Sequence, residues 1–422
     1  MQTRARWQLL VGLCLACVLP LGCDDDDAVS SKPAVEDQAD ASLDPRDAAA
    51  PSSSPLYVGA TRVFTESESI GYMFAVPSLD QGTEVDLEQA VELTDAWVFG
   101  NADPYFFTAT IFEPEITRWQ VSPEGRFSKG PVVSFANEGV GGTYTAAFTP
   151  LFSQDKSYFI DPVSMQVVVW SPAEMAFLHT IAIDADPIDD FTPNMDLSVR
   201  GDQLVVSIFW TSELSGWTKY GKFVRTVVID TASDEVIATY DDERCGAISA
   251  AGAGSDGTLY FSPWDYHTVI RDIFGPDFGV RSCGLRMAAD GDSLDPDYQV
   301  DLASLVGGRP AGGLKLLDDD TALLHVWHDD LVQATKQDWE DTRSKPGYLW
   351  YRWQLGEDTA EPLPDQEPSS EGGEWRTLDE RTVTYAANAE YSETTLFELD
   401  SDGRQKQLLS VPGWITQIIR AH

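Results

Sequence analysis

Aromatic and basic residues are concentrated in one short segment of a strongly acidic chain. Residues 209–223 read FWTSELSGWTKYGKF and hold two lysines, two tryptophans and a tyrosine, whereas the whole chain has a formal net charge of −41. Aromatic rings stack on flat ligands, and lysine supplies positive charge and hydrogen-bond donors. Gly216 and Gly221 would let the segment fold back as a loop and project Trp217 outward. These residue types at this spacing predict a site for an aromatic, anionic ligand.

Two further segments share this composition. The predicted loops 209–223, 263–282 and 327–347 together hold five of the thirteen tryptophans, and they carry seven basic residues against nine acidic ones. The predicted ligand-binding residues in them are Trp210, Trp217, Lys219, Tyr220, Lys222, Trp264, Tyr266, His267, Arg271, Trp327, His328, Lys336, Trp339, Arg343 and Lys345. The alternative is that the three loops pack on one another as a local core, with the lysines at its solvated rim.

Histidines and carboxylates do not form a recognisable catalytic or metal-binding pattern. His325 and His328 precede Asp329 and Asp330, but residues three apart on a strand point to opposite faces of the sheet. His267 is interpreted as a ligand contact or surface residue. The 69 acidic residues are too many for a glycosidase pair to be identified. We therefore predict no catalytic residue, no metal and no cofactor.

A repeat along the chain predicts the scaffold that positions these loops. Apolar residues alternate with polar ones in runs bounded by Gly, Pro, Asp and Ser, which predicts an all-β fold. Seven similar passages of about 52 residues predict a seven-bladed β-propeller with four-stranded blades over residues 56–422. They begin near Thr61, Tyr105, Ser157, Gln203, Thr258, Thr321 and Thr382. The final run, GWITQIIRAH, is predicted to supply the inner strand of the first blade and to close the ring.

The blade order predicts where the three loops lie. If the strands of a blade are lettered A to D from the inside outward, the B–C and D–A connections emerge on the same face of the ring. The three loops are the B–C connections of three successive blades, so we expect them on one face. That face is the usual platform for ligands in propellers.

The N-terminus is typical of an exported bacterial lipoprotein. Arg4 and Arg6 precede an apolar run that is too short to span a membrane, and the ending L-P-L-G-C resembles a lipobox. The resemblance implies a signal peptide at residues 1–22 and lipidation at Cys23; plain cleavage with loss of Cys23 and a retained anchor are the alternatives. Residues 23–55 begin with four aspartates and predict an acidic, disordered tether.

Export and composition together restrict the partners. Cys245 and Cys283 are the only cysteines of the predicted propeller, and in an oxidising compartment they are expected to form a disulfide; two unpaired buried cysteines are the alternative. With 28 basic against 69 acidic residues, the chain is not expected to bind nucleic acid or anionic lipid electrostatically. Contact with the membrane is predicted through the lipid anchor alone.

Two resemblances extend this interpretation. The segment VVIDTASDEVIATY, residues 227–240, resembles the strand-turn-strand signature of the YVTN family of seven-bladed propellers, which implies the fold. The lipobox, the acidic tether and blade phrases such as GYMFAVPSLDQGTEVDL resemble bacterial lipoproteins that accompany catecholate-siderophore uptake. This second resemblance implies a non-enzymatic protein of the outer membrane or cell surface that captures a ferric siderophore for a TonB-dependent transporter. The alternatives are a scaffold for protein assembly and a propeller enzyme that acts on glycans.

Overall fold

The computed structural model of the protein describes residues 55–421 except 66–68, 81, 95, 103–104, 111–112, 186, 215–216, 340–344, 372–374, 389 and 401–402. The predicted signal peptide, the lipidation site Cys23 and the tether up to Ser54 lie outside the described residues. No helix among the described residues is long and apolar enough to cross a membrane.

Almost all regular structure in the described residues is β-strand. The strands are, in chain order, β1 (Tyr57–Phe64), β2 (Ser69–Val76), β3 (Thr83–Glu84), β4 (Val91–Leu93), β5 (Ala96–Ala102), β6 (Tyr105–Thr110), β7 (Glu115–Val121), β8 (Phe127–Ser134), β9 (Ser157–Asp161), β10 (Gln166–Ser171), β11 (Ala176–Ala182), β12 (Thr192–Arg200), β13 (Gln203–Leu214), β14 (Trp217–Asp230), β15 (Glu235–Asp242), β16 (Ile248–Ala253), β17 (Leu259–Pro263), β18 (Cys283–Met287), β19 (Val300–Asp301), β20 (Ala311–Leu316), β21 (Thr321–Trp327), β22 (Tyr348–Gln354), β23 (Ala360–Pro362), β24 (Trp375–Leu378), β25 (Arg381–Ala387), β26 (Glu393–Leu399), β27 (Gln405–Pro412) and β28 (Trp414–Arg420). The helices are α1 (Asp265–Phe274), α2 (Leu302–Leu305) and the 3-10 helices Leu87–Gln89, Ala136–Glu138 and Tyr144–Phe148.

Within the described residues these strands form seven antiparallel sheets, and the predicted seven-bladed propeller is confirmed. The first blade has the order β28-β1-β2-β4, and the next blades are β5 to β8, β9 to β11, β12 to β15, β16 to β19, β20 to β23 and β24 to β27. The short β3 adds to the last blade by pairing in parallel with β27. The prediction that the C-terminal run closes the ring is also confirmed, since β28 pairs with β1 from Tyr57↔Arg420 to Arg62↔Trp414.

Burial explains the composition of the strands. Each blade packs against two neighbours, so a middle strand such as β10 (QVVVWS) is buried on both faces and is apolar over its four central residues. The outer strand β15 (EVIATYDD) is exposed along most of its length. The cores lie between blades: Phe107 of the second blade and Trp170 of the third meet edge to face, with ring centroids 5.3 Å apart.

The third blade departs from the four-stranded prediction. Its sheet contains β11, β10 and β9. Before β9 the chain reads GVGGTYTAAFT, which lacks alternating apolar residues, and it forms the 3-10 helix Tyr144–Phe148 instead of a strand. Ala146 and Ala147 of this helix are buried between the second and third blades, so the helix fills the space with packing rather than with a sheet ladder.

Candidate functional site

The segment 209–223 is a β-hairpin, and the prediction of a loop there is wrong. Strands β13 and β14 continue through it, with pairs that include Phe209↔Val224, Thr211↔Tyr220 and Leu214↔Trp217. The register shifts between Phe209 and Thr211, and Gly221 lies opposite this bulge, where an added Cβ would come within 3.3 Å of Trp210. The aromatic residues that suggested ligand contacts are of the types that favour strands.

The three predicted loops do come together, and they pack through their aromatic residues. The second loop contains α1, and the third carries Trp327 and Trp339, whose ring centroids lie 6.2 Å apart. The buried members of this group, which we call the loop cluster, are Phe209, Tyr220, Ala247, Val269, Ile270, Phe274, Val280, Trp327, Trp339 and Tyr348. The packing matches the alternative of a local core formed by the loops.

Most of the predicted stacking rings are therefore enclosed by protein. Tyr220, Trp327 and Trp339 are 6%, 3% and 2% exposed in the loop cluster, and Trp210 is 1% exposed among the residues between the third and fourth blades. A ligand could not stack on these rings without displacing their neighbours. Trp264 and Tyr266 are partly exposed, and the side chain of Trp217 lies outside the described residues.

The histidines of the three loops are also buried. His267 on α1 stacks on Tyr220 at 3.9 Å, and its Nδ1 has no hydrogen-bond partner among the described residues. Burial lowers the pKa of His267 to about 3, so the ring is neutral at physiological pH. His328 lies 3.1 Å from the Tyr351 hydroxyl, and burial is the main cause that lowers its pKa. Neither ring is presented to solvent, as a ligand contact would require.

A cationic cleft lies beside the loop cluster. It has a volume of about 200 Å³ and is lined by Lys222, Glu243, Arg244, Cys245, Arg271, Pro276, Gly279, Val280 and Arg281. Four of these residues are cationic and one is a carboxylate, in a chain whose formal net charge is −41. A concave surface of one sign focuses the electrostatic field and raises the local concentration of oppositely charged ligands.

The four cationic side chains of the cleft differ in the hydrogen bonds and ion pairs that they already form within the protein. Arg244 is fixed by the Asp242 carboxylate at 2.7 Å and by the carbonyls of Asp295 and Tyr298 at 2.9 and 3.1 Å. Lys222 donates to Asp277 at 2.8 Å, and this hydrogen bond is the main cause that lowers the pKa of Asp277. Arg244 is thus a structural residue, and Lys222 is half of an exposed ion pair.

Arg271 and Arg281 have the most hydrogen-bonding capacity left. Arg271 Nη1 donates to the Pro276 carbonyl at 3.2 Å, and its side chain is partly exposed. The exposed side chain of Arg281 makes no hydrogen bond or ion pair with any described residue. A guanidinium group offers a planar fork of N–H donors that matches carboxylate and phosphate oxygens. The cleft can therefore accept a multivalent anion without breaking the structure around it.

A disulfide and a close backbone contact determine the shape of the cleft. Cys245 is joined to Cys283 by a disulfide, and their Cα atoms lie 5.9 Å apart. Between them, Gly279 passes so close to α1 that an added Cβ would lie 2.3 Å from the backbone nitrogen of Arg271. The disulfide and this close approach hold the segment after α1 against the helix, and the gap beyond them is the cleft.

The remaining predicted cations lie elsewhere. Lys219 Nζ lies 5.2 Å from the centroid of Phe191 and 5.7 Å from that of Phe278, so it caps aromatic rings of the protein itself. Lys336 donates to the Phe274 carbonyl at the end of α1. Lys345 is exposed but does not line the cleft, and Arg343 lies outside the described residues.

Two of the four cationic cleft residues were absent from the predicted ligand-binding set. Arg281 lies within the second loop but was not selected, and Arg244 lies outside all three loops, directly before Cys245. The signal that could have identified both is their position beside the cysteines, because a disulfide draws its flanking residues to one place. No group of three or more His, Cys, Asp or Glu residues suited to a metal ion is present in the described part of the chain.

Comparison with known proteins shows the fold alone. No protein-family model and no curated protein matches the sequence. The propeller fold that the first resemblance implies is supported by solved structures, whereas the resemblance to siderophore-uptake lipoproteins gains no support. A periplasmic gluconolactonase from Pseudomonas aeruginosa superposes with a TM-score of 0.55 and 12% identity, covering 87% of this chain and 99% of that one. A hypothetical selenium-binding protein from Sulfolobus tokodaii gives 0.53 and 9%, covering 88% and 94%. A protein from Lactobacillus plantarum gives 0.52 and 10%, covering 87% and 100%. The chain is similar to these proteins over nearly its whole propeller, at identities that carry no function across.

Proposed function

We propose that this chain is an exported, lipid-anchored β-propeller that captures a small multivalent anion in the cationic cleft. The observation that carries the proposal is Arg281, an exposed guanidinium that has no side-chain partner among the described residues, beside Arg271, Arg244 and Lys222. Arg244 and Lys222 are already paired with Asp242 and Asp277, whereas Arg271 and Arg281 form no ion pair with a described residue, and like charges repel one another. A bound anion would offset that repulsion. Export and anchoring rest on Arg4, Arg6 and the sequence around Cys23.

A ferric catecholate siderophore is the specific ligand that we propose to test first. Such a complex carries net negative charge on its catecholate oxygens, and guanidinium N–H groups can donate to these oxygens. Charge supports this ligand better than ring stacking does, because Trp210, Trp327 and Trp339 are buried. Delivery to a TonB-dependent transporter would follow capture, with the protein held at the outer membrane or cell surface by its lipid.

The test is calorimetric titration of the full-length chain with phosphate, citrate, and ferric and iron-free catecholates. We expect saturable binding of at least one anion, weakened as NaCl is raised because salt screens exposed charges. Arg281→Gln should weaken that binding about tenfold, or about 1.4 kcal/mol, since hydrogen bonds to charged groups contribute on this scale. This variant should fold normally, because the Arg281 side chain makes no hydrogen bond or ion pair with a described residue.

Arg126→Gln is the matched control. Arg126 is an exposed arginine on another blade and pairs only with Glu124 at 3.0 Å. If none of the anions binds, or if both variants weaken binding equally, the cleft is not the site. Binding of citrate or phosphate without binding of catecholates would keep the anion site and remove the siderophore.

A further inference from the structure

A network of three polar side chains, separate from the cationic cleft, joins the fifth blade to the sixth. The Asp265 carboxylate lies within hydrogen-bond distance of His325 Nδ1, and His325 Nε2 lies 2.7 Å from Ser369 Oγ. Asp265 and His325 are 1% and 0% exposed, whereas Ser369 is partly exposed. Ser369 is therefore the one partly exposed residue of this Asp–His–Ser network.

The imidazole is held by its own sheet. His325 lies on β21, directly opposite Trp350 on β22. Its ring stacks on Trp350 at 4.2 Å and on Tyr348 at 4.6 Å, with interplanar angles of 20° and 23°. Two aromatic contacts leave the ring little freedom to rotate, so its nitrogens keep pointing towards Asp265 and Ser369.

A glycine makes room for the carboxylate. Asp265 is the first residue of α1, and Gly312 on β20 lies beside it. An added Cβ on Gly312 would come within 2.7 Å of the Pro263 carbonyl, 2.9 Å of the Trp264 carbonyl and 3.0 Å of the Asp265 nitrogen. Only glycine lets the start of α1 approach the strand pair closely enough for Asp265 to reach His325.

The serine is fixed from the opposite side. Ser369 forms an isolated bridge with Tyr348, through hydrogen bonds of 2.9 and 3.0 Å between their backbones. Gln366 anchors the same segment: its amide accepts from the Trp350 nitrogen at 2.6 Å and donates to the Trp350 carbonyl at 2.9 Å. The rings of Tyr348 and Trp350 and the segment that carries Ser369 are thus all held on one strand, β22. This shared attachment sets the distance from Ser369 to His325.

We propose that Ser369, His325 and Asp265 form a hydrolytic site for small carboxylic esters. Asp265 accepts a hydrogen bond from His325 Nδ1–H, which leaves Nε2 free to accept the proton of Ser369. The hydroxyl oxygen attacks the ester carbonyl carbon and its proton passes to Nε2. The alkoxide leaves with that proton as an alcohol, and an acyl-Ser369 remains. A water molecule then attacks the acyl carbon and gives a proton to Nε2. The bond between the acyl carbon and Ser369 Oγ breaks, Oγ takes the proton back from Nε2, and a carboxylic acid is released.

The backbone around Ser369 restricts the substrate. In many serine hydrolases a backbone N–H near the nucleophile stabilises the developing oxyanion. Here the Ser369 N–H already donates to the Tyr348 carbonyl, so it does not serve that purpose. Esters with a good leaving group need this stabilisation least, and amides need it most. The site therefore fits activated or short-chain esters and is not suited to peptides.

The test combines hydrolysis of p-nitrophenyl acetate with labelling by a fluorophosphonate, both on the full-length chain. We expect a burst of p-nitrophenolate and a mass increase on the peptide that contains Ser369. Ser369→Ala should reduce both to background, whereas Ser370→Ala, the adjacent serine, should leave both unchanged. Asp265→Asn should slow labelling by about a thousandfold or more, because it removes the acceptor that fixes the imidazole tautomer. Retained far-ultraviolet circular dichroism would exclude unfolding of the variants.

The result that would overturn the proposal is absence of label from Ser369 in the unmutated protein between pH 6 and pH 9. Equal labelling of the Ser369→Ala and Ser370→Ala variants would overturn it as well. The three residues would then be a structural hydrogen-bond network. Arg281→Gln should not affect labelling, so failure of the anion site and failure of the esterase site can be distinguished.

Discussion

The two ends of α1 place charged residues in opposite environments. At the N-terminal end Asp265 is buried and held by His325, while at the C-terminal end Arg271 is partly exposed beside the cationic cleft. Both positions suit the helix dipole, which favours an anion at the start and a cation in the last turn. The difference teaches that burial separates a charged group that is fixed against a protein partner from a charge that remains accessible to a ligand.

The largest expected effect is that of removing the disulfide, whose covalent loop encloses both ends of α1. Cys245→Ala with Cys283→Ala opens a covalent loop with a sequence separation of 38 that contains all of α1. We expect the free energy of unfolding to fall by about 4 kcal/mol, because the unfolded chain gains entropy. Denaturant titration measures this change. The reductant that destabilises the unmutated protein should leave the double variant unaffected, and equal sensitivity would contradict the assignment.

Gly312→Ala should disturb the structure only at the N-terminal end of α1. The added methyl group meets backbone atoms of residues 263–265, which cannot rotate away, so we expect a loss of about 3 kcal/mol in the free energy of unfolding. Fluorophosphonate labelling should fall while anion binding persists. Gly284→Ala is the matched control, because the nearest atom to its Cβ would lie at an ordinary 3.5 Å. Equal effects of the two changes would contradict the steric argument.

Gly279→Ala should disturb the structure only at the C-terminal end of α1, beside the cationic cleft. The added Cβ would lie 2.3 Å from the Arg271 nitrogen, so the segment after α1 must move outward and the cleft must change shape. We expect a stability loss of about 2 kcal/mol and weaker anion binding in calorimetry, with labelling of Ser369 retained. Loss of labelling together with binding would mean that the two ends of α1 are not independent.

His267 lies between the two ends of α1, and its substitution has the smallest predicted effect. Its folded-state pKa of about 3 is below the ordinary value of 6.5, so between these values the unfolded chain binds more protons and stability falls as pH is lowered. Relative to His267→Gln, the unmutated protein should lose about 1.4 kcal/mol between pH 7.5 and pH 5.5. Denaturant titrations at the two pH values measure the difference, and parallel behaviour of the two proteins would contradict burial of a neutral ring.

The propeller was easier to predict than the sites, because a similar strand pattern occurs seven times along the chain. Alternating apolar runs at even spacing gave the seven blades and the closing strand β28. The inner strand predicted for the third blade does not form, since its segment has glycine and threonine in place of alternating apolar residues. The hairpin at 209–223 was mistaken for a loop because its aromatics were assigned to a ligand rather than to β-structure.

The sites depend on contacts that no local pattern specifies. Asp265, His325 and Ser369 are separated by 60 and 44 residues, and the many aspartates and serines of the chain do not show which of them a histidine will meet. The predicted set included Lys222 and Arg271, which line the cationic cleft, but the sequence could not tell them from Lys219, which caps aromatic rings, or Lys336, which caps α1. Composition predicts that charges are present, and only the folded chain decides which of them remain available.

Closure of the ring by β28 has a kinetic consequence. Thr416 of β28 donates to the Ala60 carbonyl of β1 across a sequence separation of 356 residues, so the first blade pairs the two most distant strands of the propeller. Contacts this remote make folding slow, because a long loop must close before any stabilisation is gained. Until then β1 presents an unpaired edge, so an emerging chain is exposed to aggregation for as long as β28 is missing.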